Sequence, residues 1–307
     1  MSYKTYKFIK NCTKSDTLRD QFLVEPVDIT AVKNISYADV GNRETVPEDS
    51  DTVTDIYNLL DVYFPKNSTE KLPVIISIHG GGYVYGTKEI YKYYGMYLAG
   101  LGFCVVNFNY HLAPKAKFPT PLKETNQVIE WCIAHAEEYH MDMNNTFLVG
   151  DSAGAQICSQ YAAIYSNPEY AKLFPFRIPK GFVVRAIGLN CGMYDFSRTK
   201  ERKGFIDDYL GWRRKDREKF GPMLDVLGHI TGTYPPTYLM TAVHDFLRDQ
   251  AEPMCNFLME KGVEARWRCY GEEDQEYMSH VCHVNMNLEE ARQINIDETD
   301  FFRKYMK

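Results

Sequence analysis

The pentapeptide Gly150-Asp151-Ser152-Ala153-Gly154 follows the short apolar run Phe147-Leu148-Val149 and precedes a helix-like stretch. In that setting a serine can serve as a nucleophile. A Gly-x-Ser-x-Gly turn between strand and helix forces the serine into a cramped backbone conformation and leaves its hydroxyl exposed at the sheet's edge. The flanking glycines are needed because a Cβ at either place would collide with a neighbouring strand or helix. A serine hydroxyl is too weakly acidic to attack an ester at neutral pH. A histidine must take its proton, and a carboxylate must hold that histidine's tautomer. On such a scaffold the acid and then the histidine follow the serine, each on a loop after a strand. Asp245 lies just beyond the strand-like Tyr238 to Thr241, and His280 lies in the loop after the strand-like Glu264 to Tyr270. Asp249 is an alternative acid farther from the strand end, and His283 is an alternative base. His244 adjoins Asp245 and would point away from a site that the aspartate faces.

The charge that builds on a carbonyl oxygen under attack needs hydrogen-bond donors, and His79-Gly80-Gly81-Gly82-Tyr83 can supply them. Glycines after a buried strand leave backbone N–H groups uncovered, and these can point at an oxyanion together with the N–H of Ala153. Glycine runs also cradle phosphates. Here Thr87 precedes Lys88 instead of following a lysine, and Tyr85 takes the third-glycine place of a dinucleotide fingerprint beginning at Gly80. His280, Cys282 and His283 lie close together and can all ligate metal. Their spacing is not that of a structural zinc site, and no second cluster completes one. The expectation is chemistry with neither cofactor nor metal.

These residues must be held by alternating strands and helices. Strand-like segments at Thr54 to Phe64, Val74 to Ile78, Phe103 to Phe108, Phe147 to Val149, Phe182 to Leu189, Thr237 to Thr241 and Glu264 to Tyr270 frame a sheet. Helix-like segments at Glu89 to Gly100, Pro121 to Tyr139, Ala153 to Tyr165, Arg248 to Lys261 and from about Leu288 lie between or after them. This rhythm predicts an α/β fold with a mainly parallel central sheet flanked by helices. It breaks over residues 192–232, a charged stretch bearing Phe205, Tyr209, Leu210 and Trp212. A structureless loop of that length inside a core is uncommon, so it reads as a helical cap. Residues 1–45 stand outside the alternation and are assigned to the same cap, leaving 46–191 and 233–307 as the catalytic core.

Composition narrows the function further. The 307 residues carry 35 basic and 41 acidic side chains, a net charge of −6, with no basic cluster interleaved with aromatics, so nucleic acid is not an expected partner. The lysines at 4, 7, 10 and 14 are not followed by the apolar stretch of a secretory signal. No run approaches the ~18 residues of a membrane span. A cytoplasmic protein without membrane attachment is expected. Eight scattered cysteines without a Cys-x-x-Cys pair fit reduced, buried thiols.

Taken together, the chain resembles the hormone-sensitive-lipase-like carboxylesterases of the α/β-hydrolase fold from about residue 50 onward. The match is carried by His79-Gly80-Gly81-Gly82-Tyr83, by Asn109-Tyr110-His111-Leu112-Ala113-Pro114, by Gly150 to Gly154 and by Asp245-Phe246-Leu247-Arg248-Asp249. His280-Val281-Cys282-His283 resembles the family's histidine segment and favours His280 over His283. The resemblance implies Gly81, Gly82 and Ala153 as oxyanion donors, an N-terminal cap, and a homodimer as a plausible assembly. There are departures. His111 and Lys115 replace the family's arginine and the acid that pairs with it, Phe246 replaces a proline, and Ala155 replaces a frequent glycine. The loop Glu272-Glu273-Asp274-Gln275-Glu276 looks long and crowds acids toward His280.

The expected function is a serine carboxylesterase acting on small, short-acyl esters, with Ser152 as nucleophile, His280 as base and then acid, and Asp245 orienting it. A serine amidase or peptidase would use the same residues. A non-catalytic small-molecule receptor on this scaffold would be expected to lose one of them.

Overall fold

The computed structural model describes residues 1–38, 55–194, 204–211 and 214–307. Helix α1 (Tyr3–Asp20), capped by the Ser2 hydroxyl accepting from the Thr5 N–H, is followed by strand β1 (Ile29–Ser36). Then come β2 (Leu59–Pro65), β3 (Leu72–Ile78), α2 (Lys92–Gly100), β4 (Cys104–Phe108), α3 (Thr120–Ala134), β5 (Met141–Asp151), α4 (Ala153–Ser166), α5 (Pro168–Ala171) and β6 (Val184–Asn190). Helices α6 (Phe205–Leu210), α7 (Arg214–Leu224) and α8 (Val226–His229) precede β7 (Thr237–Ala242), α9 (Ala251–Glu260), β8 (Ala265–Tyr270) and α10 (Glu289–Arg303).

Among the described residues the strands form one eight-stranded sheet in the order β1-β2-β4-β3-β5-β6-β7-β8. The β1–β2 and β2–β4 pairs are antiparallel, and every pair from β4–β3 through β7–β8 is parallel. Both faces of a parallel sheet must be covered, which is why Val74-Ile75-Ile76 of β3 and Phe147-Leu148-Val149 of β5 are continuous apolar runs. Val74, Ile76, Ile78 and Leu148 pack on one face with Leu122 and Val128 of α3 and Ile157 of α4. Ile75, Phe147 and Val149 pack on the other with Leu98 of α2 and Ile294 and Phe302 of α10. Each fully buried aliphatic side chain of this kind stabilises by about 2 kcal/mol. Helix α10 buries Ala291, Ile294, Asn295, Glu298, Thr299, Phe301 and Phe302, a stripe at helical spacing, and turns its remaining residues outward.

The expected cap boundary at residue 45 needs correction, because Ile29–Ser36 pairs with β2 and is a strand of the sheet. Its alternation is hard to read for two reasons. It is an edge strand with half-buried positions, and its register shifts between Val32 and Ile35, where Asn34 adopts a positive φ of 60°. Residues 39–45 of the expected cap, 195–203 and 212–213 of the insertion, including Trp212, and the Thr54 start of the first expected strand lie outside the described residues. Within them, α1 and α6 pack together: Phe8 stacks on Phe205 at 5.5 Å, and the Thr5 hydroxyl donates to Asp208 Oδ2 at 2.7 Å. No helix among the described residues is long and apolar enough to cross a membrane.

The His111 departure has a structural answer. Its Nδ1 lies 2.5 Å from Glu124 Oε1, its Nε2 2.8 Å from Asp55 Oδ2, and its backbone N–H donates to Glu124 Oε2 at 2.9 Å. Burial lowers its pKa, but the Glu124 charge and the hydrogen bonds to Asp55 and Glu124 outweigh burial and raise it. A histidine with a raised folded pKa contributes stability that is full below its ordinary pKa and is lost as pH rises through the raised value. The melting-temperature gap between wild type and His111→Gln should therefore widen as pH falls from about 8.5 to about 6, reflecting about 1 kcal/mol or less. A gap that widened toward alkaline pH instead would contradict this.

Candidate active site

Strand β5 ends at Asp151 and α4 begins at Ala153, so Ser152 alone makes the passage from strand to helix. Its φ of 52° and ψ of −115° are conformations that a residue bearing a Cβ avoids. Its N–H is tied to Asn190 O at the end of β6, at 2.9 Å. The flanking glycines make the turn sterically possible. A Cβ on Gly150 would stand 2.3 Å from Gly154 O, and one on Gly154 would stand 2.0 Å from Ile78 O.

His280 bridges the serine and the acid. Its Nε2 lies 2.9 Å from Ser152 Oγ and its Nδ1 lies 2.7 Å from Asp245 Oδ1. With the Nδ1 proton given to Asp245, Nε2 is left free to accept from the hydroxyl. Asp245 is buried, and its oxygens also accept from the Thr241 hydroxyl and the Leu247 N–H, each at 2.9 Å. Burial raises its pKa, but the His280 hydrogen bond and charge, the Leu247 N–H and the Cys191 thiol outweigh burial and hold the carboxyl below its usual range.

The alternatives are placed elsewhere. His283 is buried edge-on against Tyr94, and burial, with the nearby His280 charge, pushes it down to about 3. His244 turns its Nε2 to Glu273 O, and Asp249 lies in the 3-10 turn Arg248–Gln250. Glu272, Glu273, Asp274 and Glu276 of the acidic loop are exposed to solvent. Met278, fully buried, anchors that loop.

Gly81 and Gly82 take positive φ values of 104° and 59°, and among the described residues no oxygen accepts from their N–H groups. Ala153, first residue of α4, precedes any intrahelical acceptor for its own N–H. The glycine loop is tied to the serine turn through Tyr91, whose hydroxyl accepts from the Gly80 N–H at 3.0 Å and donates to Asp151 Oδ2 at 2.7 Å. Asp151 is fully enclosed, and burial pushes it up to about 7 against the Tyr91 hydrogen bond. Tyr110 stacks on His79 at 4.0 Å and donates to its carbonyl at 2.9 Å. Phe205 lies against Gly82, its Cδ2 3.1 Å from where a Cβ would stand.

Sequence reasoning missed Tyr91, Asn190 and Cys191. None lies in a motif, and each acts through a contact between distant elements. Cys191, at the end of β6, has a φ of 48°, and its Sγ accepts from the Val281 N–H at 3.4 Å. Val281, the residue after the histidine, has a φ of 57°. Cys191, Asp245 and His280 have potential metal-ligand atoms within 4.8 Å of one another, although Asp245 and His280 are already bonded to each other. Cys282 and His283, considered as ligands from their spacing, are buried and are not members of this group.

The thiol therefore holds the histidine loop and faces the acid. Cys191→Ala should lower kcat about tenfold, the effect of losing one such buried contact, with KM little changed, while Cys191→Ser keeps most activity. Steady-state kinetics of the two variants check this, and equal losses in both would contradict it.

The BD-FAE family model matches residues 60–251. A putative alpha/beta hydrolase of Acanthamoeba polyphaga mimivirus is 25% identical over 267 residues, covering 82% of this chain and 75% of the viral protein. An acetyl esterase of Salmonella schwarzengrund is 23% identical over 223 residues, covering 68% of this chain and 66% of its own length. Among solved structures, esterase B from Lactobacillus rhamnosis superposes with a TM-score of 0.85 at 21% identity, covering 98% of this chain and 94% of that one, which is a likeness of fold. With the family model spanning more than half of its length, the chain belongs to the BD-FAE family, an α/β-hydrolase esterase domain.

Proposed function

We propose that the protein is a serine carboxylesterase that hydrolyses short-acyl esters through an acyl-enzyme, with Ser152, His280 and Asp245 as its catalytic residues. One observation carries this reading: the unbroken hydrogen-bond line from Ser152 Oγ to His280 Nε2 and from His280 Nδ1 to Asp245 Oδ1, at 2.9 and 2.7 Å. As Ser152 Oγ attacks the carbonyl carbon, its proton passes to Nε2. The tetrahedral oxyanion is met by the N–H groups of Gly81, Gly82 and Ala153. The C–O bond to the alcohol then breaks, and Nε2 returns the proton to the leaving oxygen. Water repeats the sequence against the acyl-enzyme, with His280 again as base and then acid. Asp245, held ionised, stabilises the imidazolium in both halves.

The short acyl preference is supported by Phe205, which stands beside Gly82 with Phe8 stacked on it and narrows the space next to the oxyanion donors. The Salmonella relative, by its name an acetyl esterase, is in keeping with it.

Ser152→Ala should reduce ester turnover at least about 10⁴-fold without altering the melting temperature. Retained turnover would sink the assignment. Across a series of esters of one alcohol, kcat/KM should fall from acetate and butyrate to decanoate. A rise toward decanoate would refute the acyl limit and leave the Ser152 assignment standing.

A further inference from the structure

We propose that Phe246 determines specificity for the alcohol half of the ester, as an exposed aromatic platform beside His280 that receives an apolar alcohol group. This rests on the esterase reading above. Asp245 is buried, yet the next residue, Phe246, is 76% exposed, and its ring centroid lies 4.2 Å from that of His280 at an interplanar angle of 42°. The backbone around it is fixed. The Leu247 N–H donates to Asp245 Oδ1 at 2.9 Å, and the Arg248 N–H donates to Asp245 O at 3.0 Å. A large apolar ring left in water costs free energy unless something covers it, and among the described residues most of this one stays uncovered beyond its contact with His280.

The chemistry places the alcohol there. When the C–O bond breaks, its electron pair stays on the alcohol oxygen, that oxygen takes the Nε2 proton, and the acyl group remains on Ser152 Oγ. The leaving oxygen must therefore come within hydrogen-bond reach of His280 Nε2, about 3 Å. The first carbons of the alcohol then fall near the ring packed on that imidazole. The carbonyl oxygen is directed instead to the proposed donors Gly81, Gly82 and Ala153, where Phe205 lies against Gly82. The resemblance places a proline at this position, which offers a smaller, saturated surface. The platform is thus a feature of this chain's own sequence.

Acetate esters test the proposal, because they share one acetyl-enzyme and differ only in the alcohol. The quantity to read is kcat/KM, which reports acylation alone when that step is irreversible. Phe246→Ala should lower kcat/KM for benzyl acetate about tenfold, the loss of roughly one ring face of apolar contact. Methyl acetate and methyl butyrate should stay within about twofold of wild type. Phe246→Leu, apolar and of similar reach, should keep most of the preference for cyclohexyl acetate over methyl acetate. That variant separates loss of the platform from a disturbed Asp245 turn, and melting temperatures check that both variants fold. Equal losses on methyl and benzyl acetate would overturn the proposal, since Phe246 would then only buttress His280. An unchanged benzyl acetate rate would overturn it as well. A wild-type protein that hydrolyses none of these esters would overturn the esterase reading together with this one. A wild type active on all of them, with selectivity indifferent to position 246, would overturn the platform alone.

Discussion

Ser152 can face the histidine only because β5 passes into α4 with no loop between them, and the glycines on either side permit an approach that no Cβ would allow. The strained backbone of Ser152 persists because its surroundings over-determine it. Its N–H is held by Asn190 at the end of β6, and Gly154 lies directly against the Ile78 carbonyl at the end of β3. Three neighbouring parallel strands therefore fix one side chain. Each of these contacts lies at the C-terminal edge of the sheet, where the chain leaves β3, β5 and β6 together.

Buried polar groups reinforce that junction from behind. Asn190 donates to Glu298 Oε1 on α10 at 2.9 Å, in space left free because Gly188 has no side chain. Burial pushes Glu298 up to about 7, and the charge of Asp151 adds to the effect. Asp151 in turn reaches the glycine loop through Tyr91. The Ser152 turn, the glycine loop and the C-terminal helix are thus joined by hydrogen bonds in a low-dielectric interior. There hydrogen bonds between buried polar groups are stronger than in water and stiffen what they join. In the proposed reaction rigidity matters, because donors that need no reorganisation stabilise an oxyanion most.

Much of the site is legible in the amino-acid chain alone. Ser152 and the glycines around it follow from steric necessity, and Asp245 and His280 follow from chain order and strand ends. The strands β3, β4 and β6 are legible because their short runs are rich in Val and Ile. The strand β1 is not, since an edge strand with a register shift carries little periodicity. Tyr91, Asn190 and Cys191 are hidden for a different reason. A tyrosine, an asparagine and a cysteine acquire their roles only from what the fold sets opposite them.

The same division holds for the two histidines near the end of the chain. The amino-acid sequence by itself determined that a serine would sit on a strained turn, that an acid and a histidine would follow in order, and that a glycine loop would come after a buried strand. These are local consequences of residue type and chain order. Only the tertiary structure decided that His280 faces Ser152 while His283 turns into the core beside Tyr94. It also decided that His111 finds carboxylates in Asp55 and Glu124, and that Phe246 lies exposed on the imidazole. Those outcomes depend on which side of a loop is buried, which is settled by packing between residues far apart in the chain.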